Sequence, residues 1–151
     1  MTTACDMIAC ARSHVGVRFA HQGRSIHGVD CLGLLILTAQ QLQLRFEGKG
    51  AEELDVPHYG TRPDVLLLKE KLDTHLVPVA FTQVREGDVV LLKIDGSPQH
   101  LALLTDYPMQ GELGMVHAYA PARKVVEHRY DALWRRETYA AYRLPMLYAK
   151  K

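Results

Sequence analysis

Apolar residues change their spacing once along this chain, and that change constrains the fold more than any other feature. Through residue 73 they recur at helical intervals, and from residue 84 they fall into short runs of strand length. Ala4, Met7, Ile8 and Ala11 share one face of a helix predicted over residues 4–14, which Gly16 ends. Asp30, a good N-cap, opens a second helix through Leu34, Leu35, Leu37, Thr38, Leu42 and Leu44. That helix is apolar on most sides and therefore central to the core. Pro63 and Asp64 start a third helix over Val65–Asp73, where a proline is tolerated in the first turn. The second half reads Glu86-Gly87-Asp88 as a turn, Val89–Leu92 as a strand and Asp95-Gly96-Ser97-Pro98 as another turn. Further strands are predicted over His100–Thr105, Met115–Tyr119, Lys124–Glu127 and Tyr139–Leu144, with a short helical turn at Leu133–Arg136. Helices first and an antiparallel sheet second make an α+β domain. The 151 residues, 48% of them hydrophobic, suffice for one domain over 1–151 with its own core.

Charge removes several function classes. Eighteen Lys and Arg against seventeen Asp and Glu leave a net charge of +1, which argues against a nucleic-acid partner or an anionic membrane surface. No stretch approaches the ~18 apolar residues of a spanning helix, so no membrane insertion is expected. Met1-Thr2-Thr3-Ala4-Cys5-Asp6 lacks a basic segment leading into an apolar core, which predicts synthesis in the cytoplasm without a signal peptide. Three cysteines do not form a disulfide framework, and Cys5 and Cys10 lie roughly 140° apart around the first helix. Phosphate-binding glycine loops, a Gly-x-Ser-x-Gly elbow and a His-Glu-x-x-His helix are all lacking.

Cys31 stands in the first turn of the second helix, directly after a loop with two glycines, His21-Gln22-Gly23-Arg24-Ser25-Ile26-His27-Gly28. Free N–H groups and the helix dipole favour a negative charge there, so a lowered thiol pKa is expected, as are donors for an oxyanion. Taken alone, Cys31 also fits a small buried hydrophobe. A nucleophilic thiol needs a base, and the base needs a third group to fix its tautomer. His100 shares a strand face with Ala102 and Leu104, and His117 lies on the next predicted strand, so the two imidazoles can meet across a ladder. Cys10 and His14 share a helix face and could supply half of a metal site, but no second pair completes it. His58, His75 and His128 read as solvated, as do Arg135-Arg136 and Lys150-Lys151.

The order of these features resembles the NlpC-type (NlpC/p60) cell-wall peptidases, particularly their phage and prophage tail branch. Asp30-Cys31-Leu32-Gly33-Leu34-Leu35 resembles the family's helix-capping Asp-Cys segment. His100-Leu101-Ala102-Leu103-Leu104 is similar to its histidine strand, and Val116-His117-Ala118 to its second histidine element. His21-Gln22-Gly23-Arg24, Glu86-Gly87-Asp88-Val89 and the run from Trp134-Arg135-Arg136 to Arg143-Leu144-Pro145 look like the phage branch. The resemblance implies a papain-like fold with N-terminal helices packed on an antiparallel sheet. Cys31 would attack, His100 would accept its proton and His117 would orient His100. The implied reaction is hydrolysis of a peptidoglycan stem peptide between D-glutamate and the diamino acid, through a thioester acyl-enzyme and with no metal or organic cofactor. Implied partners are the stem peptide and phage tail proteins, and the implied setting is a virion or tail acting on the bacterial wall.

Asp30 would cap the helix and shape the substrate pocket, with Arg24 on the same loop. Twelve residues before Cys31, where many members carry a tyrosine with its hydroxyl in the site, this chain has Phe19. Gln22, His21 or Arg18 would have to replace that donor. Otherwise the domain is a tail-assembly or wall-docking module with little catalysis. An acyltransferase on the same core is a third reading. The segment from Phe46 to Arg62 is expected to wall the substrate groove.

Overall fold

The computed structural model describes residues 1–56 and 64–147. Thr3 starts the first helix, α1 (Ala4–Arg12), with a capping box: the Asp6 amide donates to Thr3 Oγ1 at 3.2 Å, and the Thr3 amide donates to the Asp6 carboxylate at 2.9 Å. Of the predicted face Met7, Ile8 and Ala11 are buried and Ala4 is half-buried, and the helix stops two residues before its predicted end. A two-residue hairpin, β1 (Arg24–Ser25) with β2 (Gly28–Val29), occupies what reads in sequence as loop. Helix α2 (Cys31–Gln41) follows, buried continuously from Leu32 to Ala39. It ends before Leu44 because Gln43 takes a φ of 56°; Leu44 then enters the core from the loop. Helix α3 (Val65–His75) is capped by Asp64, which accepts from the Leu67 amide at 3.1 Å, and runs two residues beyond its predicted end. Pro63 and His58 lie outside the described residues.

Six strands form one antiparallel sheet: β3 (Val77–Val79), β4 (Val89–Ile94), β5 (Ser97–Thr105), β6 (Gly114–Tyr119), β7 (Lys124–Arg129) and β8 (Thr138–Arg143). A short helix, α4 (Ala132–Arg136), precedes β8. The spatial order is β3-β8-β4-β5-β6-β7. The α+β architecture stands as expected, with α1 and α2 on one sheet face. Leu91, Leu101, Leu103, Val116, Ala118 and Val125 join the helices in the larger core. Val90, Leu92, Ala102, Leu104, Met115, Tyr130 and Ala141 make a smaller cluster on the other face, against Trp134. Truncating one of these fully buried leucines to alanine is expected to cost about 2–5 kcal/mol. Among the described residues no helix is long and apolar enough to cross a membrane.

Two features of β5 prepare the site. The β4–β5 hairpin turns through Asp95 (φ 52°) and Gly96 (φ 78°), the positive angles that an Asp-Gly turn supplies. This sets Ile94 opposite Ser97 and Lys93 opposite Pro98, but Leu92 opposite His100, so Gln99 is an extra residue. The bulge bends the strand just before His100 and re-aims that side chain. On its other side β5 pairs with β6 only from Leu103↔Val116 to Thr105↔Gly114, and towards His100 and His117 the ladder stops. A groove opens there.

Candidate active site

The nucleophile's position is built from a short stretch of chain. Asp30 is buried and caps α2: its Oδ1 accepts from the Gly33 amide at 2.8 Å and from Arg24 Nη1 at 2.8 Å, and its Oδ2 accepts from the Gln22 amide at 2.9 Å. Arg24 also donates through Nη2 to Asp55 at 2.9 Å and through Nη1 to the Gly23 carbonyl at 2.9 Å. Only glycine fits at position 33, since a Cβ there would run into the Gly23 carbonyl oxygen. Loop 21–24 and the helix start are thus one unit, with Cys31 at its tip.

The Cys31 sulfur lies 3.9 Å from the Gln99 carbonyl oxygen, at the bulge. Burial pushes the thiol up to about 12, and the Asp30 carboxylate pushes the same way. The amides of Leu101 and Leu32 and the charge of Arg24 oppose them without prevailing. The lowered thiol pKa expected from the helix terminus is therefore reversed. Desolvation is a tertiary effect, and here it outweighs the amides and the Arg24 charge that favour the thiolate.

His100 is also buried, which holds it at about 4, below the usual imidazole value, although Asp30 pulls upward. Its Nε2 is 2.7 Å from His117 Nδ1. His117 is fully buried and is depressed further, first by burial and then by His100 and His128. The resting site is a neutral thiol beside neutral imidazoles, so the thiol proton must move during attack. Trp134 and Tyr119 enclose His117, with ring centroids 5.3 and 5.0 Å away.

Cys31 and His100 line one groove of about 190 Å³, together with Phe19, His21, Asp30, Ile94, Gln99 and the stretch from Ala118 to Pro121. The space on the helix side of Cys31 is only about 10 Å³, so the sulfur is approached from the groove alone. Cys31, His100 and His117 thus come together as expected, and Asp30 caps the helix and lines the groove. Phe19 and His21 line it too. Gln22 and Arg24 do not: the Gln22 amide and the Arg24 guanidinium turn inward to Asp30. Arg18 is exposed and bridges to Lys124.

Other expectations change. None of the described part of the segment Phe46–Arg62 lines the groove; Phe46, Ala51, Leu54 and Val56 are core residues instead. Residues 57–62 lie outside the described residues. Cys10 and His14 converge on Gln41 Oε1, at 3.3 and 2.7 Å, and no group of three metal-binding side chains occurs among the described residues. His75 is half-buried against Phe46, with ring centroids 6.2 Å apart, and is not solvated. His128 is half-buried and not wholly solvated: its Nε2 lies 2.8 Å from His117 Nε2, while the ring lines an open groove with Tyr119 and Trp134. The predicted strand stops at Glu127, whereas β7 reaches Arg129. Its alternation puts Val126, His128 and Tyr130 on one face. That boundary hid the residue.

A family model described as "NlpC/P60 family" matches residues 16–143. No curated protein matches significantly. Among solved structures, the NlpC/p60 domain of the peptidoglycan hydrolase SagA superposes with a TM-score of 0.62 at 16% identity, over 93% of this chain and 98% of that one. An NlpC/P60 family protein from Bacillus cereus ATCC 10987 gives 0.64 at 19% identity, over 94% of this chain and 40% of its own. The peptidoglycan hydrolase RipB of Mycobacterium tuberculosis gives 0.61 at 19% identity, over 93% and 64%. At these identities the likeness is one of fold.

Proposed function

This chain belongs to the NlpC/P60 family, a cysteine peptidase family, and from that premise we propose that it hydrolyses a peptide bond in the stem peptides of bacterial peptidoglycan. The observation that carries the reading is the meeting of Cys31 and His100 in one groove, with His117 behind. His117 takes the Nε2 side of His100, leaving Nδ1 as the ring nitrogen open to the thiol proton. As the sulfur attacks the scissile carbonyl, that proton passes to His100. The developing charges sit close together on a half-buried sulfur and a buried imidazole, where each stabilises the other. Free N–H groups at the start of α2 are the donors for the oxyanion. His100 then gives its proton to the leaving amine, and a thioester remains on Cys31. Water, deprotonated by His100, releases the acid and restores the thiol.

The finer reading is cleavage between D-glutamate and the diamino acid by a phage- or prophage-tail component made in the cytoplasm and acting on the wall. Its support is the motif likeness of loop 21–24, of Glu86-Gly87-Asp88-Val89 and of the closing run. A second reading, a tail-assembly or wall-docking module, is favoured by Phe19, which lines the groove without a hydroxyl. The test is mass spectrometry of soluble products from purified sacculi, with Cys31→Ala as control. Stem-peptide fragments from the parent alone support the hydrolase, and their masses name the bond. No fragments, from sacculi that another endopeptidase digests, would favour the docking module. Transfer of the acyl group to an added amine, in preference to water, would indicate an acyltransferase.

A further inference from the structure

We propose that His128 is a fourth member of the site, a positioning residue that sets the direction of the hydrogen-bond chain ending at His100. His128 Nδ1 is 2.9 Å from the Arg129 carbonyl oxygen, which can only accept, so Nδ1 carries the hydrogen. In neutral His128 the other nitrogen, Nε2, is then a lone pair, and it faces His117 Nε2 at 2.8 Å. His117 must donate there. A neutral imidazole has one N–H, so His117 Nδ1 accepts from His100 Nε2 at 2.7 Å. His100 Nδ1 is left bare, the form a base needs. The protonated form that follows attack keeps the same direction, because imidazolium His100 still donates from Nε2 to His117.

Without an acceptor at position 128 this order is lost. His117 is fully buried, so its Nε2 cannot turn to solvent for a partner. A donor at 128 would make His117 Nε2 accept and move its proton to Nδ1. His117 would then donate to His100 Nε2, and the remaining proton of His100 would occupy Nδ1, facing the thiol. Three imidazoles away from the sulfur, one carbonyl thus decides whether a base exists. Trp134 packs against both rings of the outer bond, with centroids 5.3 Å from His117 and 5.7 Å from His128, and holds their geometry. His128 lines a neighbouring open groove and not the one that holds Cys31, so its influence on the sulfur passes through His117.

The inference rests on the reading of His100 as the base, and the test separates the two. Three variants are compared at pH 8, where a free imidazole with a pKa of about 6.5 is neutral. His128→Gln keeps an acceptor for His117 and a donor for Arg129, His128→Phe keeps the ring against Trp134 without an acceptor, and His128→Lys offers only donors. Imidazole tautomers are read by long-range proton–nitrogen correlation, and turnover on a stem-peptide substrate is followed in parallel. His117 and His100 should both be Nε2–H in the parent and in the Gln variant. They should be mixed in Phe and shifted toward Nδ1–H in Lys. A wrong tautomer costs about 10⁴ in a serine triad, so we expect kcat to fall about tenfold for Phe, about a hundredfold for Lys and least for Gln, with KM unchanged. Parent tautomers retained in Phe and Lys, or a Gln variant as damaged as Phe, would overturn the proposal. A parent that releases nothing from sacculi refutes the peptidase reading instead, and the tautomer result still decides for or against the chain.

Discussion

The segment that presents Cys31 and the strands that present the histidines are held together on opposite terms. Cys31 sits on an apolar helix whose start is anchored mostly by nearby groups, Asp30 to Gly33, Gln22 and Arg24, with Asp55 and the Gln99 carbonyl reaching in from farther away. The histidines sit on three strands, β5, β6 and β7, and are linked to one another by polar bonds inside a sheet face. A held sulfur needs only a capped helix and a glycine that lets the loop approach. A base needs its far nitrogen satisfied, and in a buried site that requirement passes to the next polar group and the next. The first region can therefore be broken locally, and the second breaks as a chain.

The largest effect should come from removing the sulfur. Cys31→Ala is expected to lower stem-peptide release by about 10⁴-fold or more while shifting the urea midpoint little, since the site keeps its cap and core. A variant that loses stability by several kcal/mol would mean that the sulfur, and not the cap, organises the helix start.

The two regions should also fail at opposite ends of the pH scale. His100 is lowered from 6.5 to about 4, chiefly by burial. The unfolded chain binds that proton near its ordinary value and the native state resists it. Stability is therefore full above pH 6.5 and is lost as the pH falls toward 4, by roughly 3 kcal/mol, with His117 adding to the loss. Cys31 is raised from 9.0 to about 12, first by burial. Its contribution is full below pH 9 and is lost as the pH rises toward 12, by roughly 4 kcal/mol. Urea midpoints across pH would register both slopes. Cys31→Ala should reduce the alkaline slope, of which Cys10, Tyr130 and Tyr142, also raised by burial, supply the remainder, and should leave the acid slope; an alkaline slope unchanged in the variant would place its origin elsewhere.

A smaller effect isolates the cap from its charge. Asp30→Ala removes the acceptor for Gly33 and Gln22 and the partner of Arg24, at a cost of about 2 kcal/mol. Asp30→Asn keeps a good cap and should cost less. Both remove a carboxylate that pushes the thiol pKa up, so Cys31 should alkylate at lower pH than in the parent. Equal stability for the two variants would mean that the ion pair, and not the cap, is what Asp30 contributes.

Features of the nucleophile side were legible in the sequence because they are local. An N-cap, a glycine and an apolar run are read within a few residues, and Asp30, Cys31 and the start of α2 fall where they were expected. His100 and His117 were legible as a pair because strand alternation survives without knowledge of the partner. What was not legible depends on pairing and depth. His128 was missed by a strand end placed two residues short. Arg24 was expected beside the substrate, but it turns inward because Asp55, thirty-one residues away, closes over it. The groove wall from Ala118 to Pro121 exists only because β5 and β6 part beyond Leu103. The sign of the thiol shift required knowing how deeply the helix start is buried.

The smallest expected effect bears on the gap left in the nucleophile's own wall. Phe19 packs its ring against the core and faces the groove, at the position where the resemblance to NlpC-type peptidases implies a tyrosine hydroxyl. Phe19→Tyr would restore a donor at that wall without altering the histidine chain. Loss of one oxyanion donor can cost 10²–10³, but a donor added to a groove shaped without it should recover less, about two- to tenfold in kcat. KM should stay constant if the hydroxyl acts on the transition state alone. A gain confined to KM would make position 19 a substrate contact. No gain at all would mean that the groove already meets the oxyanion's need from the helix start, and that the missing hydroxyl tells nothing against catalysis.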